Sequence, residues 1–158
     1  MSRSIRTATV AVLALAVAAT AADAARPKTG VYKGKTSQNL NARFTVHRKG
    51  RRVDFRITYA KETNCTGNST FVAGNTDLGT NVPVKKDGTF TFTFSNKQPV
   101  TINGQSGASD HYNYTVTGTF KGKSVKGTFQ EKDDIYDPSG NLYGSCSTTG
   151  VTYKAKRK

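Results

Sequence analysis

The chain has 158 residues, and its 24 Lys and Arg against 10 Asp and Glu give a formal net charge of +14 at pH 7. That length suits one domain, and a surplus of positive charge this large favours anionic partners. Two Cys and two His, far apart in the sequence, exclude a metal centre built from four closely spaced Cys or His ligands.

The N-terminal residues have the three parts of a secretory signal peptide. Arg3 and Arg6 precede an Ala, Val and Leu run over 8–19, and an Ala-Asp-Ala triplet follows at 22–24. This order predicts a signal peptide over 1–24 that is cleaved. A membrane anchor is the alternative, but the run is shorter than the ~20 residues that a spanning helix needs. We therefore expect an exported bacterial protein, secreted or associated with the cell surface, with no membrane span after cleavage.

Residues 25–158 are predicted to form a single β domain that ends in a short basic tail over 154–158. Apolar and polar residues alternate repeatedly, turn residues interrupt them at short intervals, and no segment sustains a helical period. The first strand is expected at 30–36. The clearest hairpin spans 42–59 with a loop at 48–51. Its register would place these apolar pairs opposite each other on one face: Val46 with Val53, Phe44 with Phe55, and Ala42 with Ile57.

Two more hairpins are predicted from turn sequences rich in Lys and Gly, one at 85–88 and one at 121–124. In the second, Phe120 would face Val125 and Gly118 would face Gly127. A facing pair of glycines indicates a sharp bend or the close approach of another layer.

The last third of the chain contains one predicted loop, one turn and one strand pair. Residues 96–109 are rich in Gly, Ser and Asn and are predicted as a long loop. Asp-Pro-Ser-Gly at 137–140 is predicted as a turn. The final two strands are expected at 142–146 and 151–156, paired with each other.

These elements amount to an all-β fold, a single antiparallel meander of eight to ten strands. A closed or partly open β-barrel is favoured, because closure removes exposed edges and brings the first strand beside the last. A two-sheet β-sandwich is the alternative, since strand count and alternation do not separate the two. Cys65 and Cys146 are predicted to form one disulfide. On a chain-entropy model, closing a loop of roughly 80 residues contributes about 4 to 5 kcal/mol.

Seven potential cations gather on the 42–59 hairpin around a single carboxylate, Asp54. Such a ribbon can hold phosphates or carboxylates through many weak, salt-sensitive contacts. We predict binding of an anionic cell-wall polymer or another polyanion, with an ordinary solvated surface as the alternative. Further basic clusters lie at 121–126 and 154–158. The predicted polyanion-binding residues are Arg43, His47, Arg48, Lys49, Arg51, Arg52 and Arg56.

Other chemistry has less support in the sequence. No zinc-finger, RNA-recognition or helical DNA-reading motif indicates specific nucleic-acid binding. The acidic stretch over 131–141 lacks the spacing of a calcium loop, so we expect no metal and no cofactor. His47 and His111 have no identifiable Ser or carboxylate partner, so we predict a binding or structural protein that is not an enzyme. We also predict that the protein is a monomer. A cluster of His111 with Asp110 or Asp134 would instead favour a hydrolase. The second functional alternative is a barrel that carries a small apolar ligand.

Several segments resemble small exported β proteins of actinobacteria. They are GVYKG at 30–34, DGTF at 87–90, GTFKG at 118–122 with GTF at 127–129, and CSTTGVTYKA at 146–155. The resemblance covers nearly all of the chain after the signal peptide and implies the β fold and the disulfide, but no activity. A fainter similarity to lipocalin-like and avidin-like barrels rests on the G-x-Y-x-G opening and the meander, and is one of form alone.

Overall fold

The computed structural model describes residues 26–59, 64–67 and 75–158, so the predicted signal peptide lies outside the described residues. These residues form nine strands, within the predicted range of eight to ten. The strands are β1 (Gly30–Thr36), β2 (Asn41–His47), β3 (Arg52–Tyr59), β4 (Asn64–Gly67), β5 (Asn75–Pro83), β6 (Thr89–Ile102), β7 (Gln105–Lys121), β8 (Ser124–Tyr136) and β9 (Leu142–Arg157).

All nine strands belong to one antiparallel sheet in the order β5-β3-β2-β1-β9-β8-β7-β6, with β4 paired to β9. The sheet curls into a half-barrel. The prediction of a partly open barrel is confirmed, as is the pairing of the first strand with the last, and the two-sheet sandwich is excluded for the described residues. The barrel opens between β5 and β6. A hydrogen bond spans this opening, in which the Tyr114 hydroxyl of β7 donates to the Leu78 carbonyl oxygen of β5 at 2.8 Å.

The core lies on the concave face, where apolar side chains occupy alternate strand positions. Tyr32, Phe44 and Phe129 are fully buried, and burial of each such ring contributes roughly 1.5 to 3 kcal/mol. The predicted register of the β2–β3 hairpin is confirmed. It pairs Val46 with Val53, Phe44 with Phe55, and Ala42 with Ile57.

The paired glycines do mark a close approach, but in the described residues it comes from a side chain of the same sheet and not from another layer. Gly118 and Gly127 face each other across β7 and β8, and Tyr153 of β9 lies over both. A Cβ on either glycine would overlap the Tyr153 hydroxyl oxygen, which donates to the Thr117 carbonyl at 2.6 Å. Burial raises the pKa of the Tyr153 phenol, so the group remains a hydrogen-bond donor at ordinary pH.

Residues 85–88 do turn, but the predicted β-hairpin is wrong. The Val84 N–H donates to the Arg51 carbonyl beside β3, whereas the Gly88 carbonyl accepts from the Phe120 N–H beside β7. The two arms therefore separate, because β5 pairs with β3 and β6 pairs with β7. They form the two open edges of the half-barrel.

The long loop predicted over 96–109 is also wrong. β6 continues to Ile102 and β7 starts at Gln105, so only Asn103 and Gly104 lie between them. Both have positive φ, 49° and 78°. Asn-Gly is the preferred pair for a type I′ turn, whose twist matches that of the flanking strands. This turn chemistry outweighs the loop-like composition around it.

The pair of final strands predicted at 142–146 and 151–156 is a single strand, β9, which pairs with β8 over most of its length. Gly150 has a φ of 70°, and the β8–β9 register shifts beside it. The glycine therefore belongs to a β-bulge, where the prediction required a turn. Residues 154–157, predicted as part of a basic tail, belong to this strand.

The turn predicted at 137–140 is confirmed. The Gly140 N–H donates to the Asp137 carbonyl at 2.9 Å, and the Asp137 carboxylate accepts the backbone N–H groups of Asn141 and Ser139. These bonds, the one from Asn141 first, lower the pKa of the Asp137 carboxyl.

The predicted disulfide joins Cys65 of β4 to Cys146 of β9. The two residues face each other in the β4–β9 ladder, with their Cα atoms 4.1 Å apart. β4 pairs with the part of β9 that extends beyond β1. The disulfide thus fastens the short strand that lies between β3 and β5 in the chain.

Replacing Gly127 by Ala should lower the free energy of unfolding by about 1 to 3 kcal/mol, as overpacking does elsewhere. The added Cβ would meet the Thr117 carbonyl oxygen and the Tyr153 ring. Urea unfolding measures the change, with the exposed neighbour Lys126→Ala as the control, expected within about 0.5 kcal/mol of wild type. Equal stability of the Gly127 variant and wild type would contradict the close approach.

Removing the disulfide by Cys65→Ala/Cys146→Ala should lower the free energy of unfolding by roughly 4 to 5 kcal/mol, because the unfolded chain regains its loop entropy. The urea midpoint measures this loss, and reduced wild type serves as a control that should match the variant. A loss well under 1 kcal/mol would show that the bridge contributes little to stability.

Candidate anion-binding surface

The β2–β3 hairpin presents its predicted cations as two cross-strand pairs and a group of three in the loop. Arg43 and Arg56 face each other across the strands and are exposed on the convex face. His47 and Arg52 form the cross-strand pair next to the loop. The remaining three, Arg48, Lys49 and Arg51, lie in the loop at the hairpin tip and are exposed. Four of the seven thus lie on the convex face of the hairpin and three lie in its loop.

The Asp54 carboxylate forms hydrogen bonds with groups near the tip of the β2–β3 hairpin. Its Oδ1 atom lies 3.0 Å from His47 Nε2 and accepts the Asn81 backbone N–H at 2.6 Å, while Arg52 Nη1 donates to the Asn81 carbonyl at 3.1 Å. A shift in the β3–β5 register between Val53 and Phe55 brings Asn81 to this position. His47 and Arg52 are thus tied to a local polar network. Arg43 and Arg56 have no ion pair within the described part of the chain.

A row of cations continues from this arginine pair onto strands that are distant in sequence. Arg43 faces Lys33 of β1, and Lys33 in turn faces Lys156 of β9. With Arg56, four cations occupy consecutive cross-strand positions on four adjacent strands. Neighbouring strands lie about 4.8 Å apart, so the row spans roughly 14 Å.

A second row runs parallel to the first, two residues further along the strands. Lys35 of β1 faces Lys154 of β9, which faces Lys126 of β8. Two residues of a strand advance about 6.6 Å, which is the spacing between the rows. We call the two rows together the convex basic surface. Its residues are Lys33, Lys35, Arg43, Arg56, Lys126, Lys154 and Lys156.

Lys33 and Lys35 were not predicted as site residues, and the other lysines were predicted as separate clusters. The alternation in β1 places both lysines on the face opposite the buried Tyr32, and that signal was available. Their juxtaposition with β2 and β9 depends on strand order. Among the described residues, no carboxylate occupies a position within either row.

A groove of about 350 Å³ lies at the β5 end of the first row. Arg43 and Arg56 line it together with Asp54, and the side chain of Leu78, 49% exposed, lies beside them. Gly79 lacks the side chain that would collide with the Phe55 ring at this point. We call this cavity the arginine groove. Its lining residues are Arg43, Thr45, Asp54, Phe55, Arg56, Leu78, Gly79 and Thr80.

The hydrolase alternative depended on a carboxylate beside His111, and the structure places Asp134 directly opposite it across β7 and β8. His111 Nε2 lies 3.3 Å from Ser109 Oγ. Asp134, however, accepts from Lys132 Nζ at 2.7 Å and from Ser145 Oγ at 2.6 Å, so both of its oxygens already have other donors. Within the described residues, no hydrogen bond joins this carboxylate to the imidazole, whereas the acid of a catalytic triad is hydrogen-bonded to its histidine.

Comparison of the chain with protein families, with curated proteins and with solved structures found no match. The resemblance to exported actinobacterial β proteins therefore stays a prediction. Within the described ranges, no helix is long and apolar enough to cross a bilayer. In the same residues, no three His, Cys, Asp or Glu side chains converge on a position for a metal ion.

The Asp54 network should make stability depend on pH in the acid range. The Asn81 N–H lowers the pKa of the Asp54 carboxyl, partial burial opposes the shift, and His47 adds to the lowering. A depressed pKa in the folded state stabilises the protein above the unfolded value of about 3.9, and this contribution disappears as pH falls through the folded value.

Asp54→Asn should therefore lose less stability than wild type as the pH falls below about 4. Thermal unfolding across that range measures the difference between Asp54→Asn and wild type. Asp137→Asn provides a comparison, because the Asp137 carboxyl also has a lowered pKa but lies outside the lining of the groove. An Asp54 variant that follows the wild-type acid profile would contradict the network.

Proposed function

We propose that this protein is exported and binds an anionic polymer at the cell surface through its convex basic surface. The observation that carries the proposal is the uninterrupted arrangement of seven Lys and Arg residues on five adjacent strands. Like charges at directly opposite positions destabilise a sheet. A bound polyanion would remove that repulsion and release counterions, both of which favour binding.

Export is supported by the sequence order of the N-terminal residues and by the disulfide, which persists in oxidising compartments. The carrier of an apolar ligand receives no comparable support. The concave face carries a packed aromatic core, in which Phe44 lies 4.8 Å from Tyr153 and Phe90 lies 5.7 Å from Phe120 between ring centroids.

Retention of the purified domain on heparin across a salt series tests the proposal. Two variants, each without three exposed cations, are compared with wild type. They are Lys33→Gln/Lys35→Gln/Lys154→Gln on the convex basic surface and Arg48→Gln/Lys49→Gln/Arg51→Gln in the β2–β3 loop. The first should elute at much lower salt. The slope of log affinity against log salt should fall by about 2 to 3, because each cation that neutralises an anionic group contributes about 0.7 to 0.9 to it.

The loop variant has the same net charge as the surface variant and is the matched control. It should keep most of the wild-type retention, because the loop residues lie outside the two rows. Equal losses in the two variants would mean that net charge alone causes retention. Elution of wild type without retention at low salt would overturn the proposal.

A further inference from the structure

The arginine groove differs from the rest of the convex basic surface in depth and in chemistry. Its volume of about 350 Å³ exceeds what a bare ion needs and falls at the low end for small-molecule sites, about 300 to 1,000 Å³. The other positions of the two rows are exposed lysines. The groove can therefore accept a whole chemical unit of a polymer.

The lining has three kinds of groups. The guanidinium groups of Arg43 and Arg56 present donor forks that suit the paired oxygens of a sulfate, phosphate or carboxylate. The hydroxyls of Thr45 and Thr80 can donate or accept hydrogen bonds. Leu78 offers an exposed apolar surface. A ligand that satisfies all three carries a negative charge, hydroxyls and an apolar face.

Asp54 restricts the ligand further. Its carboxylate lines the same groove, and its lowered pKa keeps it ionised near neutral pH. The negative charge of Asp54 repels a bare, densely charged anion from the groove. The same carboxylate readily accepts hydrogen bonds from the hydroxyl groups of a ligand. Hydroxyl groups next to an isolated anionic group are characteristic of an acidic sugar.

We propose that the arginine groove binds one anionic sugar unit of an acidic polysaccharide, and that the lysines of the convex basic surface follow the adjoining units. This inference rests on the proposed polyanion-binding function and names its ligand class. The guanidinium forks of Arg43 and Arg56 hold the anionic group. Asp54 and the two threonines receive the sugar hydroxyls.

The test compares a galacturonic acid tetrasaccharide, which has one carboxylate and free hydroxyls on each sugar, with linear polyphosphate as probes, using titration calorimetry on the folded domain. Arg43→Lys/Arg56→Lys keeps the charge and removes the forks. This variant should bind the tetrasaccharide about tenfold more weakly than wild type. Its affinity for polyphosphate should stay within about twofold, because the Asp54 carboxylate repels this densely charged chain from the groove and leaves it to the exposed lysines. The matched control Lys126→Arg/Lys154→Arg should bind both probes within about twofold of wild type.

The outcomes separate this inference from the broader proposal. If the Arg→Lys variant binds the tetrasaccharide as wild type does, or loses affinity equally for both probes, the groove does not recognise a sugar unit, while polyanion binding stands. If wild type binds neither probe, both proposals fail. Near-UV circular dichroism on each variant confirms that the fold is retained, which is expected because all four substituted side chains are exposed.

Discussion

Strand alternation in one curled sheet links the core to the charged surface. The register that aligns Phe44 with Phe55 on the concave face also aligns Arg43 with Arg56 on the convex face, because successive side chains point to opposite faces. A slip of one residue would expose the aromatic core and bury the arginines. The packing of the apolar face therefore fixes the positions of the cations, although those cations repel one another.

The two rows of like charges need a scaffold with stability to spare. Cross-strand pairs change stability by roughly 0.2 to 1 kcal/mol each, and like charges act unfavourably. Fully buried rings such as Tyr32 and Phe129 each contribute more than one such pair costs. The Cys65–Cys146 disulfide adds to this stability. The fold can thus hold a concentrated positive surface in the absence of a partner.

The carboxylates of the described residues are kept away from that surface. Asp110, Glu131 and Asp133 are buried on the concave face, and Asp134 lies on the far half of β8 with Lys132 and Ser145. Asp54 is the exception, and its bonds to His47 and Asn81 hold it in the arginine groove. Of the acids whose side chains the structure describes, Asp54 therefore lines the arginine groove and occupies a position in neither row.

Local features of the sequence determined the all-β class, the β2–β3 register, the facing of Gly118 and Gly127 and the disulfide, because each depends on alternation, turn residues or cysteine count. The Asn103-Gly104 turn was equally local, but the Gly, Ser and Asn content around it led to the prediction of a long loop. Only the tertiary structure decided where the barrel opens and that Gly150 forms a bulge. It alone placed Lys33 between Arg43 and Lys156. That contact joins strands from the two ends of the domain, and pairing between distant strands depends on how the whole sheet closes, which no short stretch of sequence specifies.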